Sequence, residues 1–385
     1  MIPALHKEVF IKKFSLDIAD FCILSSPPEN RLSQFERLTL TGGAELERAL
    51  QWIIRQCSDF KFPKAVSDLD ISAFKRDAAF YSHENFLSDP STFFRLPRHI
   101  PDVTSTLVHG LRDGVILDLQ FKSLYEVQNP SYRESHHTLS ENLTAYARYW
   151  QHDRPAKGTL IALHGWTMGD QRLNSLAFLP GMFYRFGLDV VLVELPFHGR
   201  RRPAGEASNL FPDSNLCRTN EAIAQIICDL RALRAFLEAH GARNVGCVGM
   251  SLGAYIAALW ASLDPLAFLI PIVPVASMSE IAWRLLKKEE IFAEVKRQGL
   301  TRALLEQAYQ VHSPLSHRAK LPAERVLVLG GLGDTIVPRS QPRLLSQHFG
   351  CSRTHWFRGG HLAQFKSRRA MTRILKFLRS NDFIP

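Results

Sequence analysis

The sequence has few cysteines, no long apolar run and no internal repeat or low-complexity segment. Its six cysteines stand at positions 22, 57, 217, 228, 247 and 351, and no two of them form a C-x-x-C pair. This spacing argues against a zinc site or a disulfide framework and favours a reducing compartment. No stretch reaches the uninterrupted apolar length that spans a bilayer, and the first residues do not resemble a secretory signal. We therefore expect a cytoplasmic protein.

The chain also lacks a nucleic-acid-binding signature, although its formal net charge is +10, from 47 lysines and arginines against 37 acidic residues. Most of the positive charges are dispersed, and only residues 200–202 form a tight run of arginines. We expect no specific nucleic-acid partner, because charge alone gives only nonspecific attraction. The surface favours a loose association with an anionic membrane surface. The arginine run predicts either a solvated loop, which we favour, or a contact for an anionic substrate or lipid headgroup.

The apolar pattern predicts a mostly parallel sheet flanked by helices. Apolar residues make up 46% of the chain, enough for a sizeable core. Continuous apolar strands alternate with amphipathic helices, such as the one predicted at 220–239, from residue 158 onward. These strands are predicted at 159–163, 188–195, 245–249, 268–275, 325–329 and 353–357, after two antiparallel strands at 115–127 and 142–150.

Two segments lie outside this rhythm. We predict that residues 1–105 form an N-terminal extension that is helical and partly irregular, with helices at 44–57 and 71–81. This extension is expected to pack on a main domain at 106–385. Residues 277–315 form a long helical insertion between two strands, longer than connections in compact domains normally are. We predict that this insertion is a cap above an active site. The alternative is a solvated helix pair at the edge of the domain.

Residues 245–261 carry the pattern of a buried strand, a glycine turn and a helix. Gly249 and Gly253 flank Ser251 at the spacing of the G-x-S-x-G nucleophile elbow, where larger neighbours would clash. Such a turn exposes the hydroxyl and directs the backbone amide of Leu252 at a developing oxyanion. The alternative is an ordinary glycine-rich turn between a strand and a helix.

A second candidate segment follows the predicted strand 159–163. His164, Gly165 and Trp166 occupy the loop that supplies a further oxyanion donor in serine hydrolases of this layout, and the amide of Trp166 is the candidate. Because Gly165 has no side chain, the backbone of this loop can approach the candidate site closely. His164 lies at the end of the strand, so we expect it to hold the loop by hydrogen bonds rather than to transfer protons.

Two later loops supply an acid and a base candidate. Asp334 follows the predicted strand 325–329 at the sheet edge where ligands bind, although it also suits the cap of a helix starting near Pro338. His361 follows the last strand on a Gly-Gly hinge. His348 and His355 also come after Asp334, but they fall within a helical and a strand pattern. The order serine, aspartate, histidine favours catalysis.

Together these motifs resemble the α/β-hydrolase superfamily, over about residues 106–385. The matching segments are Gly-Met-Ser-Leu-Gly at 249–253, His-Gly at 164–165, Gly-x-x-Asp-x-Ile-Val-Pro at 331–338 and Gly-Gly-His at 359–361. Residues 194–202 also resemble the loop after the fourth strand of these enzymes. The resemblance implies an α/β-hydrolase fold whose nucleophile, acid and histidine follow strands five, seven and eight.

The residues and the resemblance imply a serine hydrolase with a Ser251–Asp334–His361 triad and an oxyanion hole from the amides of Leu252 and Trp166. This chemistry needs no metal or organic cofactor. The predicted substrate is a small-molecule or lipid ester. The same triad serves acyl transfer and thioester or peptide cleavage, and a non-catalytic binding protein on this fold is a further alternative.

Aromatic and thioether side chains near these motifs predict an apolar acyl pocket. Trp166 and Met250 are the principal candidates, and Trp260 and Trp283 are two others, although large apolar side chains are more often core residues. The sequence leaves the acyl chain, the leaving group and the oligomeric state open.

Overall fold

A central sheet of nine strands organises the protein in a computed structural model that describes residues 70–205, 211–288, 291–351, 354–361 and 368–385. The helix predicted at 44–57 and the rest of residues 1–69 lie outside these ranges, so the N-terminal extension and the division at residue 105 stay predictions. None of the helices in the described ranges combines the length and the apolar character needed to cross a membrane.

The strands follow the predicted rhythm. They are β1 Thr104–Leu111, β2 Gly114–Lys122, β3 Thr144–His152, β4 Gly158–Leu163, β5 Leu188–Val193, β6 Val245–Met250, β7 Leu269–Ile272, β8 Leu329–Gly331 and β9 His355–Phe357. Their order in the sheet is β1-β2-β3-β5-β4-β6-β7-β8-β9. The pairs β1–β2, β2–β3 and β3–β5 are antiparallel, and every other neighbouring pair is parallel. The mostly parallel sheet is therefore confirmed.

Burial explains why the central strands were recognisable as continuous apolar runs. Every residue of β4, β5 and β6 is buried, because helices cover both faces of the sheet. The helices are α1 Ile71–Tyr81, α2 Glu84–Ser88, α3 Arg133–Thr138, α4 Gln171–Phe178, α5 Pro180–Arg185, α6 Leu216–Ala239, α7 Leu252–Leu263, α8 Met278–Leu286, α9 Phe292–Arg297, α10 Arg302–Tyr309, α11 Ser340–His348 and α12 Arg368–Ser380. The helix predicted at 71–81 is confirmed as α1.

One strand was not predicted, and several strands are shorter than predicted, most clearly β7, β8 and β9. The edge strand β1 is exposed along nearly its whole length, so it carries no apolar alternation, and a bulge between Leu107 and His109 interrupts its register. The regular part of β8 spans only three residues, preceded by an isolated bridge between Leu269 and Val326, and β9 is equally short. β1 adds a strand before the expected eight, so the loops that carry Ser251, Asp334 and His361 follow β6, β8 and β9.

The predicted insertion contains three helices, α8, α9 and α10. At its start, Oε1 of the buried Gln341 accepts hydrogen bonds from the backbone amides of Ala276 and Ser277, at 2.9 and 2.8 Å. Helix α10 contacts α1 and α8. The insertion is thus tied to α11 and to the N-terminal helix, while its role as a cap stays a prediction.

A second buried network ties the end of the insertion to the helix after the nucleophile. The hydroxyl of Tyr255 on α7 donates to Nδ1 of His312 at 2.8 Å, and Nε2 of His312 donates to Oδ1 of Asn220 at 3.0 Å. Nδ2 of Asn220 in turn donates to the carbonyl of Ala308 at 2.9 Å. Burial lowers the pKa of His312 to about 3, so the ring is neutral at physiological pH and keeps Nδ1 as an acceptor.

Glu221 on α6 anchors helix α1 and the loop after β2. Its buried carboxylate accepts from the hydroxyl of Tyr81 at 2.7 Å, from the hydroxyl of Tyr125, and from the backbone amides of Gln128 and Asn129 at 2.9 Å each. Burial raises the pKa of Glu221, and these hydrogen bonds oppose that effect. One side chain therefore joins three segments that are distant in sequence.

Removing the hydroxyl of Tyr81 tests this anchor. Tyr81→Phe is expected to lower the free energy of unfolding by about 2 kcal/mol, because a buried carboxylate loses one of its donors. Chemical denaturation measures the change. Tyr146→Phe is the control, because the Tyr146 hydroxyl forms no hydrogen bond within the described residues; equal effects of the two changes would contradict the assignment.

Candidate active site

Ser251 occupies a strained turn between β6 and α7. Its backbone has φ 55° and ψ −112°, a conformation that residues other than glycine rarely adopt. Its amide donates to the carbonyl of Ile272 on β7 at 3.0 Å, and its carbonyl accepts from the amide of Tyr255 at 3.1 Å. The turn is therefore held from both sides, as a nucleophile elbow requires.

The two glycines of the elbow are required by close backbone packing. A Cβ atom at Gly253 would lie 2.0 Å from the carbonyl oxygen of Leu163 at the end of β4. A Cβ atom at Gly249 would lie 2.3 Å from the carbonyl oxygen of Gly253. Both distances are far inside van der Waals contact, so the strand, the turn and the helix fit together only with glycine at these positions.

Asp334 and His361 form a hydrogen-bonded pair. Oδ2 of Asp334 lies 2.8 Å from Nδ1 of His361, and both side chains are largely buried. Oδ1 of Asp334 accepts from the amides of Ile336 and Val337, at 2.9 Å each. The carboxylate therefore both shapes its own loop and orients the imidazole, since Nδ1 donates to it and Nε2 is left as the acceptor.

The loops that carry this pair are also joined through their backbones. The amide of Gly333 donates to the carbonyl of Gly359 at 2.9 Å, and the amide of Leu332 donates to the carbonyl of Phe357 at 3.0 Å. The acid loop follows β8 and the histidine loop follows β9, which are neighbouring parallel strands. Adjacent carboxyl ends of the sheet thus bring the two residues together.

Ser251 lies at the same edge of the sheet, at the end of β6. Within the described residues, a hydrogen bond links His361 to Asp334 and none links His361 to Ser251. In unliganded enzymes, catalytic hydrogen bonds are often formed only with substrate. The structure therefore pairs Asp334 with His361 and places Ser251 on another loop at the same edge of the sheet.

His164 holds the candidate oxyanion loop, as predicted. Its Nε2 accepts from the amide of Leu195 at 3.1 Å, and its Nδ1 donates to the carbonyl of Gly165 at 2.8 Å. Burial lowers the pKa of His164 to about 4, so it stays neutral and both hydrogen bonds persist at neutral pH. A Cβ atom at Gly165 would lie 3.5 Å from Cβ of Ser251, so this loop passes directly beside the elbow.

The remaining candidate residues differ in how far they are buried. Leu252 is the first residue of α7, where backbone amides have no acceptor within the helix, and Trp166 is half-buried on the oxyanion loop. Met250 is buried at the end of β6. Trp260 is fully buried in the core, in agreement with the alternative that it is a core residue, and Trp283 packs edge-to-face on Phe292 of the insertion.

The three arginines at 200–202 differ in their environments, so neither the solvated loop nor the open anion contact describes all of them. Arg201 is fully buried and forms an ion pair with Asp229 at 2.9 Å. Arg200 pairs with the buried Glu194 at 2.9 Å, and Arg202 is exposed. The sequence could not show that a charge on α6, far along the chain, makes burial of Arg201 possible.

Alanine is expected to have different effects at Gly253 and at Gly165, two glycines near Ser251. Gly253→Ala is expected to destabilise the protein by at least about 3 kcal/mol, because the methyl group meets rigid backbone atoms. Gly165→Ala is expected to cost less than about 1.5 kcal/mol, because its nearest neighbour is the flexible end of Met250, at 3.3 Å. Thermal and urea unfolding measure both; a stable Gly253→Ala protein would contradict the elbow packing.

The comparisons with known proteins agree with this architecture. No family model matches the chain. The chain is 30% identical over 305 residues to "Uncharacterized protein Rv2627c" of Mycobacterium tuberculosis strain ATCC 25618 / H37Rv, over 75% of this chain and 70% of that protein. The same figures hold for "Uncharacterized protein MT2702" of strain CDC 1551 / Oshkosh.

Two solved structures share the fold at low sequence identity. Acetyl xylan esterase 1 from Thermoanaerobacterium sp. JW/SL YS485 is 16% identical, with a TM-score of 0.52 over 80% of this chain and 99% of that chain. The acetyl xylan esterase from Paenibacillus sp. R4 is 14% identical, with a TM-score of 0.53 over 76% and 94%. The chain belongs to the same family as the mycobacterial protein Rv2627c, and its central sheet and flanking helices have the α/β-hydrolase fold.

Proposed function

We propose that the protein is a serine hydrolase that cleaves a carboxylic ester through an acyl-serine intermediate. The observation that carries this proposal is the 2.8 Å pair of Asp334 and His361 at the same edge of the sheet as the strained Ser251. A buried carboxylate beside Nδ1 keeps the proton on that nitrogen, so Nε2 stays free to accept a proton from a nucleophile. A merely structural aspartate would be satisfied by its two backbone hydrogen bonds alone.

Each step of the reaction has an assigned group. Nε2 of His361 accepts the proton of Ser251 Oγ as this oxygen attacks the ester carbonyl carbon. The amides of Leu252 and Trp166 stabilise the oxyanion, and Asp334 stabilises the protonated imidazole. The imidazole then donates its proton to the leaving alcohol. Water, activated by the same histidine, hydrolyses the acyl-serine and restores the enzyme.

The substrate is proposed to be a small-molecule ester with an apolar part, and a lipid ester is the finer variant. Trp166 and Met250 are the proposed pocket residues. Leu332 and Ile336, on either side of Asp334, are 40% and 44% exposed, which is unusual for large apolar side chains. They supply an apolar rim next to the acid loop. The two solved structures with this fold are, by their titles, acetyl xylan esterases, which supports ester chemistry.

Hydrolysis of p-nitrophenyl esters of graded chain length tests the nucleophile. Ser251→Ala is expected to lower kcat by at least about a thousandfold, because no acyl-serine can form. Ser262→Ala, which removes a buried hydroxyl from the helix α7 that follows Ser251, is expected to keep kcat within a few fold. Turnover that survives Ser251→Ala would contradict the assignment.

A second substitution separates the charge of Asp334 from its role in shaping the loop. In Asp334→Asn the side-chain oxygen can still accept from the amides of Ile336 and Val337, so the loop and the unfolding temperature are expected to persist. The value of kcat is expected to fall by about 10³–10⁴-fold, since the imidazolium loses its counter-charge and its tautomer is no longer fixed. A fall of less than tenfold in a folded variant would show that Asp334 is not the acid of the triad.

A further inference from the structure

A groove of about 780 Å³ lies at the sheet edge opposite to the catalytic loops. Val326 and Leu327 line it from the segment before β8, and His355 lines it from the first position of β9. Asp334 and His361 instead follow the carboxyl ends of these strands. The groove is therefore separate from the active site, and its volume lies in the range of small-molecule sites.

One wall of the groove is a row of cations from α12. Arg373, Lys376 and Arg379 recur at every third residue and all line the groove. Nη2 of Arg373 donates to Nε2 of His355 at 3.2 Å, and Nε of Arg379 donates to a main-chain oxygen of Pro385 at 2.7 Å. None of the three forms an ion pair with an acidic side chain within the described residues. The charges of Arg373 and Lys376 therefore remain available to a ligand.

The floor of the same groove is apolar. Val326 and Leu327 are buried, and Phe377 of α12 is half-buried beside them. Glu324 is the acidic residue among the described residues of the lining, so three cations outweigh one anion. Arginine and lysine bind carboxylates and phosphates by charge-assisted hydrogen bonds, and the apolar floor favours burial of hydrocarbon.

We propose that this groove binds an amphipathic organic anion, with its phosphate or carboxylate on Arg373 and Lys376 and its apolar part over Val326 and Leu327. A free molecule and a lipid headgroup in a bilayer share this chemistry, and the geometry favours the free molecule. The apolar side chains are recessed in the groove. Within the described part of the chain, the exposed large apolar side chains all lie outside α12. A membrane surface would therefore meet charges without an apolar anchor.

Calorimetric titration of the full chain with octyl phosphate, below its micelle concentration, tests the proposal. Binding is expected to weaken by about tenfold or more in Arg373→Gln/Lys376→Gln, because two charge-assisted contacts are lost. Lys376→Gln alone gives the same direction if the double variant does not fold, since Lys376 makes no hydrogen bond within the described residues. Arg369→Gln is the matched control, because Arg369 is exposed on the same helix outside the groove.

Three comparison ligands decide which part of the proposal holds. Inorganic phosphate and octanol are each expected to bind more weakly than octyl phosphate, and equal binding of either would overturn the amphipathic anion. Binding of phosphatidylglycerol vesicles without binding of octyl phosphate would replace it with a membrane surface. If the affinity for octyl phosphate is unchanged by both substitutions, its binding site lies elsewhere on the protein. These readouts measure binding, so they are independent of ester hydrolysis.

Discussion

The close packing of Gly253 against the end of β4 is the constraint on which the rest of the site depends. It sets the start of α7 against the carbonyl of Leu163, which fixes where the turn at Ser251 lies relative to the loop at residues 164–166. The hydrogen bond from the Ser251 amide to Ile272 fixes the turn from the other side. Every residue of α7 is buried, so neighbouring elements leave this helix little freedom to relax. Backbone strain at one residue is thus sustained by packing around it.

Buried polar side chains connect the peripheral segments to this centre. Glu221 holds α1, Gln341 holds the start of the helical insertion, and His312 holds its end. Their partners come from segments far apart in the sequence, and the hydrogen bonds demand particular atoms at particular distances. Apolar contacts alone would tolerate several arrangements of the same helices. These networks therefore specify how the insertion and the N-terminal helix join the sheet.

The sequence predicts most of the sheet because burial on both faces forces continuous apolar runs, as in β4 and β5. It also predicts the loop positions of Asp334 and His361, since parallel strands bring their carboxyl ends to one edge. It fails where structure depends on a distant partner. Arg201 reads as surface charge until Asp229 is known to lie beside it, and β1 has no pattern because it is exposed. Trp260 could be assigned to the core only when all of α7 proved to be buried.

The most direct test of the account is covalent labelling with a fluorophosphonate, followed by mass spectrometry of the modified peptide. This reagent reacts with a serine whose hydroxyl is activated by a base and whose oxyanion is stabilised, so it needs no knowledge of the natural ester. We expect one adduct per chain, on Ser251, and none in the Ser251→Ala protein. A folded wild-type protein that stays unlabelled, or is labelled at another serine, would contradict it.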